Sequence, residues 1–311
     1  MNRKGALTFV VFSVVVGTWW GVLYALTRDL KPEPLAQQVY PESTSAQRTT
    51  PDSPAIDLRY DQLVQQVAPI SGTTLPVHWG GLGRRLIQAG AIDLDKFRAH
   101  YGVLNEEQQA VLLGDDLSEI TFRPENIQFW TNVLWALGLT QASEVLNEGP
   151  MKRNEAQTPL GNYASTGGWT LGSKPATELY ASAHLIELTP EQDGLVYRVS
   201  EHVFRPCCGN STAFPDCNHG MAVLGLLELM ASQGSSEDEL YRAALTFNAY
   251  AFSDTYIALA AYLAMQNIPW SEVSAQEVLG PDYSGIQGAR RIAAAVGPIP
   301  GAPDRGGSCG A

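Results

Sequence analysis

Cysteine is scarce in this chain: 4 of 311 residues. That is too few for a disulfide scaffold, which would need a denser and more even distribution. Basic residues are also short, 20 Lys and Arg against 32 Asp and Glu, for a formal charge of −12. An acidic surface repels phosphate backbones, which argues against nucleic-acid binding. Charged residues make up only 17% and apolar residues 45%, a globular rather than a disordered composition. Strand-forming runs are nearly missing. Ile120-Thr121-Phe122 is β-rich but too short to found a sheet. Several catalytic signatures are absent as well: there is no His-Glu-x-x-His, no Gly-x-Ser-x-Gly and no Cys-x-x-Cys-His. Gly167 to Lys174 resembles a phosphate loop only superficially, because Ser173 separates the second glycine from the lysine and no strand precedes it.

What is present begins with an uncharged run at 6–27 that includes Val14, Val15, Val16, Trp19, Trp20 and Tyr24. About 20 such residues span a hydrocarbon core as a helix, and the aromatic pair and tyrosine fall where an interfacial belt would sit. With Arg3 and Lys4 before it, the run reads as a signal anchor with residues 1–5 in the cytoplasm. Ala25-Leu26-Thr27 matches a cleavage site poorly, although a cleaved signal peptide is the competing reading. Both place the remainder outside the cytoplasm. The expectation is a single-pass protein of the cell membrane whose membrane partner is reached through residues 6–27. Residues 28–56 carry Pro32, Pro34, Pro41, Pro51 and Pro54 among polar residues and read as an extended spacer.

From residue 57 to 296 the periodicity is helical, and the fold class expected is all-α, a multi-helix globular domain behind the N-terminal anchor. Helices are expected over 57–68, 79–89, 93–102, 105–113, 125–138, 139–147, 176–187, 190–205, 218–233, 237–267 and 270–279. Thr189-Pro190-Glu191-Gln192 and Ser236-Glu237-Asp238-Glu239 are capping boxes, and Pro124-Glu125-Asn126 and Asn105-Glu106-Glu107 are weaker starts. The stretch 237–267 reads as one long central helix, and 218–233 is apolar nearly all round and so buried. Residues 152–175 form a long Gly-rich loop whose Tyr and Trp suit either a packed surface loop or a lid over a site. The tail 297–311 is rich in Gly and Pro and holds Cys309.

Reactive side chains concentrate at 202–221, where three of the four cysteines, Cys207, Cys208 and Cys217, meet His202 and His219, two of the five histidines. On a helix at 190–205, Leu195, Val199 and His202 share one face, so His202 is expected to point inward. Pro206 must turn the chain. Asp216 reads as the N-cap of the next helix, with Cys217 and His219 in its first turn. Two residues apart within a helix they diverge by about 200°, so they can meet at one ion only if Cys217 lies at or before the cap. Thiolates and imidazole at this density suit zinc, copper or an iron–sulfur cluster, with Cys207, Cys208, Cys217 and His219 as the ligand set and His202 and Cys309 in reserve. Cys-Cys-x₈-Cys-x-His is not one of the paired spacings that make a zinc assignment secure. Two other readings stay open: disulfides stapling a helical binding or scaffold module, and a thiol oxidoreductase in which one thiolate attacks and another resolves. Whether the protein is an enzyme is not decided by the sequence. Lone His78 and His184 read as structural, the sequon at Asn210 as incidental, and Glu228, set in an apolar run, as exposed or in polar contact with a neighbouring helix.

Overall fold

The computed structural model describes residues 59–117 and 119–303. The anchor at 6–27, the spacer and Cys309 lie outside the described residues. Among the described residues no helix is long and apolar enough to cross a membrane.

The domain is helical throughout. In chain order the helices are α1 (Tyr60–Val67), α2 (Leu82–Ala89), α3 (Leu94–Tyr101), α4 (Glu106–Leu113), α5 (Ile127–Thr140), α6 (Glu144–Glu148), α7 (Pro150–Arg153), α8 (Ala164–Gly167), α9 (Ala176–Leu179), α10 (Pro190–His202), α11 (Asn218–Ser232), α12 (Glu237–Ala251), α13 (Ser253–Ala264), α14 (Ala275–Val278), α15 (Pro281–Ser284) and α16 (Ile286–Val296). Short 3₁₀ turns occupy Leu160–Asn162 and Trp270–Glu272. A two-stranded antiparallel ribbon joins β1 (Thr73–Leu75) to β2 (Ile120–Phe122), with Thr73 opposite Phe122. Ile120-Thr121-Phe122 is therefore a strand after all. It is held because Phe122 is fully buried against Trp130 and Phe247.

The centre of the core is the crossing of α5 and α11. Every residue from Phe129 to Thr140 and from Gly220 to Ala231 is buried. The two backbones touch at a pair of glycines. A Cβ on Gly138 would lie 2.1 Å from the Met221 carbonyl oxygen, and one on Gly225 would lie 2.5 Å from that of Leu134. Small residues at a crossing let apolar helices approach until backbone meets backbone, which maximises dispersion contact along both. The capping boxes at Asn105, Thr189 and Ser236 all form, each with its reciprocal side-chain bond. The glycine stop at 234 adopts a φ of 86°, in the left-handed region expected after a helix.

Several expected boundaries move, each for a tertiary reason. The long helix at 237–267 is two helices, α12 and α13, broken at Phe252 (φ −130°, ψ 46°), whose ring packs on His219 with centroids 4.5 Å apart. The helix expected at 139–147 is interrupted at Gln141. Its buried amide accepts from the Leu185 and Ile186 amides and donates to the Ile186 carbonyl, satisfying an irregular segment that a continued helix could not serve. That segment replaces most of the helix expected at 176–187, of which only α9 is helical, and it leaves His184 exposed outside any helix. The first helix after the ribbon starts at Leu82 instead of 79, since Gly80 takes a φ of 55°. The expected 270–279 helix is the second 3₁₀ turn followed by α14, and α16 lies beyond the last helix expected from the sequence. Residues 152–175 are folded, with a 3₁₀ turn, α8 and a buried Trp169 whose indole donates to the Ala91 carbonyl.

Candidate metal centre

The cysteine corner is built from the end of α10 to the start of α11. After His202 the chain leaves the helix and is fastened on three sides. Phe204 donates its amide to the Leu279 carbonyl and accepts at its own carbonyl from Asn248 Nδ2. Phe204 also forms a bridge with Ser211, and the Thr212 amide donates to the Val203 carbonyl, so 204–211 is a closed loop. The Cys208 carbonyl accepts from the Ile286 amide at the head of α16. Asn248 Nδ2 is shared between the Phe204 carbonyl and Tyr256 Oη. Tyr256 in turn lies 2.6 Å from Ser284 Oγ, which donates to the Val278 carbonyl. This buried chain ties the loop to four elements.

Arg205 is the organiser of the corner. It is 1% exposed. Its Nε donates to Cys217 Sγ at 3.0 Å, Nη1 to the Asn210 carbonyl at 3.2 Å, and Nη2 to the Phe214 carbonyl at 3.2 Å and Asp216 Oδ1 at 2.7 Å. Asp216 Oδ2 accepts from Asn210 Nδ2 at 2.7 Å. A planar guanidinium with several fixed donors can cross-link a loop in this way, which an ammonium cannot. Burial works against its charge but is outweighed by the Cys217 thiolate and, behind it, Cys208, so Arg205 is held protonated. Gly220 leaves room for it, since a Cβ there would stand 2.5 Å from the guanidinium carbon.

Three sulfurs converge. Those of Cys207, Cys208 and Cys217 all lie within 4.8 Å of one another, and Cys207 Sγ is 3.6 Å from Cys217 Sγ. All three are free thiols, Cys207 exposed and the other two partly buried. Cys217, rather than the expected Asp216, is the N-cap of α11, with extended backbone (φ −128°, ψ 167°) and its sulfur accepting from the Gly220 amide at 3.5 Å. Asp216 is drawn away by its pairing with Arg205. Cys217 is thus at the cap, where its sulfur can face the loop.

The cluster separates the three thiols in acidity. Hydrogen bonds from the Cys207 and then the Cys208 thiol push the Cys217 pKa far below the thiol range despite its burial. The His219 side chain and Arg205 act in the same direction. Cys207 is pushed far up, because its proton is held in hydrogen bonds within the trio and its site is desolvated. Cys208 gains from its hydrogen bond with Cys207, but its contact with Cys217 and its burial outweigh that and raise it. Among the three, Cys217 is thus the sulfur most readily deprotonated.

The expected ligands sort as follows. Cys207, Cys208 and Cys217 come together. His219 lies beside Cys217 but outside the converging set, its ring packed on Phe252. His202 does not point inward. It is exposed at the end of α10, because the buried face of that helix runs through Val196, Val199 and Val203. His78 is exposed too. The Gly-rich loop meets the corner's shoulder, with the Ser165 amide donating to the Asp216 carbonyl and Tyr163 against Phe214, and it leaves Cys207 uncovered. Arg205 was missed by sequence reasoning. Its one signal was an arginine directly before Pro-Cys-Cys, and only its burial reveals its weight.

Glu228, expected to be exposed or in polar contact, is fully buried on α11, and neither carboxylate oxygen has a hydrogen-bond partner among the described residues. It lies away from the sulfurs, towards Ser143 and Asp193. Burial raises its pKa well above the carboxylate range. The Ser143 hydroxyl offsets part of that rise and the Asp193 charge adds to it.

No family model, no curated protein and no solved structure matches the chain.

Proposed function

We propose that this is a membrane-anchored, extracytoplasmic helical protein whose Cys207, Cys208 and Cys217 bind a soft metal ion, zinc or copper, or a metal cluster. The observation that carries the reading is the convergence of three unbridged sulfurs, two of them 3.6 Å apart. That spacing is close to the edge of about 3.8 Å between thiolates bound to one tetrahedral ion with Zn–S bonds of about 2.3 Å. The depressed pKa of Cys217 is in keeping with it, since a metal site must surrender thiol protons.

A thiol-exchange enzyme is the second reading, favoured by the thiolate–thiol contact of Cys217 with Cys207. Its weakness is the order of the pair. The acidic sulfur is the inner one, while the exposed Cys207 is pushed up and is a poor nucleophile. The test is elemental analysis of the purified full-length chain, with thiol titration before and after chelation. Stoichiometric metal and thiols released by chelator are expected. Metal-free protein that takes up no zinc or copper, with one thiol reacting far ahead of the others, would give the site to thiol exchange.

A further inference from the structure

The number of ligands can be taken further, on the footing that the corner binds a soft ion as proposed above. We infer that the ion is held by three sulfurs alone, and that it is monovalent copper and not zinc. Among the described residues no His, Asp or Glu joins the three sulfurs in a set within 4.8 Å of one another. Both oxygens of Asp216 are taken, one by Arg205 at 2.7 Å and the other by Asn210 at 2.7 Å. The His219 ring packs at a tilt on Phe252, centroids 4.5 Å apart, and stands outside the converging set. His202 faces solvent.

Cys217 Sγ meanwhile already accepts from Arg205 Nε at 3.0 Å and from the Gly220 amide at 3.5 Å. These donors orient a ligating sulfur from behind, as outer-layer hydrogen bonds do at metal sites, and Arg205 sets a positive charge beside the surplus negative charge that three thiolates leave on a monovalent ion. Structural zinc almost always takes four protein ligands. Thiolates suit zinc and Cu(I) alike, but Cu(I), unlike structural zinc, is satisfied by three of them. Binding involves no electron transfer: Cu(I) forms three Cu–S bonds, and the three sulfurs bind as thiolates, with the S–H protons they carry released to solvent.

The experiment titrates the full-length chain, purified without oxygen, with Cu(I) against a chromophoric chelator, and reads the neighbours of the bound metal by X-ray absorption. One copper per chain with three sulfur neighbours and no nitrogen is expected. Cys207→Ser, Cys208→Ser and Cys217→Ser each weaken binding more than about 100-fold, His219→Ala about 10-fold as an outer-layer change, and Cys309→Ser leaves affinity unchanged. The coordination number of the unmutated protein needs no variant, so a variant that fails to fold does not blunt the test. A nitrogen neighbour, a fourth sulfur, or a loss for His219→Ala or Cys309→Ser equal to that for Cys217→Ser would overturn the three-sulfur site while leaving soft-metal binding intact. Tight zinc binding with four protein ligands would do the same. Failure to bind either ion would remove both.

Discussion

The two ends of one problem sit on the same helix. At the head of α11, charge is buried in company: the Arg205 guanidinium, 1% exposed, meets the Cys217 sulfur, the Asp216 carboxylate and two carbonyls. Further along, Glu228 is fully covered without a counter-charge, and of its neighbours only the Ser143 hydroxyl favours its charged form. The first region keeps its charges because each finds a partner and several donors. The second has no counter-charge, and the acid escapes the cost of desolvation by keeping its proton. Proteins bury ionisable groups by both routes, and the routes respond oppositely to substitution and to pH.

The largest effect should come from breaking the paired end. Arg205→Ala leaves the Asp216 carboxylate and the Cys217 thiolate without their cation and removes the cross-link of the 204–216 loop. A loss of about 3–5 kcal/mol in denaturant unfolding is expected, as for other buried pairs deprived of one member. An unchanged midpoint would mean that the guanidinium cross-link contributes nothing to folding.

An effect of opposite sign is expected at the solitary end. The folded-state pKa of Glu228 lies above its unfolded value, so the contribution of the neutral acid is fully present below about pH 4.3 and is lost as pH rises towards the folded pKa. Over that window Glu228→Gln should gain on the native sequence by about 1.4 kcal/mol for each pH unit, because glutamine has no proton to lose. Parallel melts of the two proteins from pH 4 to pH 8 measure it. A constant difference across that range would show that Glu228 ionises in the fold as freely as in the unfolded chain.

The smallest change in stability is expected at the junction of the two themes. Cys217→Ser keeps a good N-cap side chain on α11 and leaves Arg205 paired with Asp216, so stability should fall by about 1 kcal/mol, less than for Arg205→Ala, while soft-metal uptake is lost. Thermal melting beside metal analysis on one preparation separates the two roles. A large drop in stability would make the cysteine chiefly structural.

Legibility followed locality. The capping boxes at Thr189 and Ser236 were readable because their donors and acceptors lie three residues apart, and each formed. The burial of α11 was readable from its apolar circumference, and the cysteine corner from clustering in the chain. Helix geometry placed the start of α11 at this point, with Asp216 as its cap, but the structure puts the cap one residue later, at Cys217, and leaves His219 outside the converging sulfurs. What could not be read depends on partners far along the sequence. His202 shares a face with Leu195 and Val199 in the periodicity, but the actual buried stripe is rotated onto Val196 and Val203. Phe252 breaks an otherwise continuous helical pattern beside His219, and Gln141 ends a helix by serving amides at Leu185 and Ile186. The Gly138–Gly225 contact joins residues 87 apart, and neither glycine marks itself as anything but a weak helix former.

By itself, then, the sequence determined the helical class, the acidic character of the chain and the stretch in which the thiols gather, because composition, 3.6-residue periodicity and short-range capping are properties of neighbours. Only the tertiary structure decided which sulfurs meet, that an arginine beside them is buried, that one histidine faces solvent while the other stands beside Cys217, and that a glutamate without a counter-charge lies in the core. Those outcomes depend on how closely α5 and α11 approach and on where the loop between α10 and α11 is fastened. Both are set by close packing between distant parts of the chain.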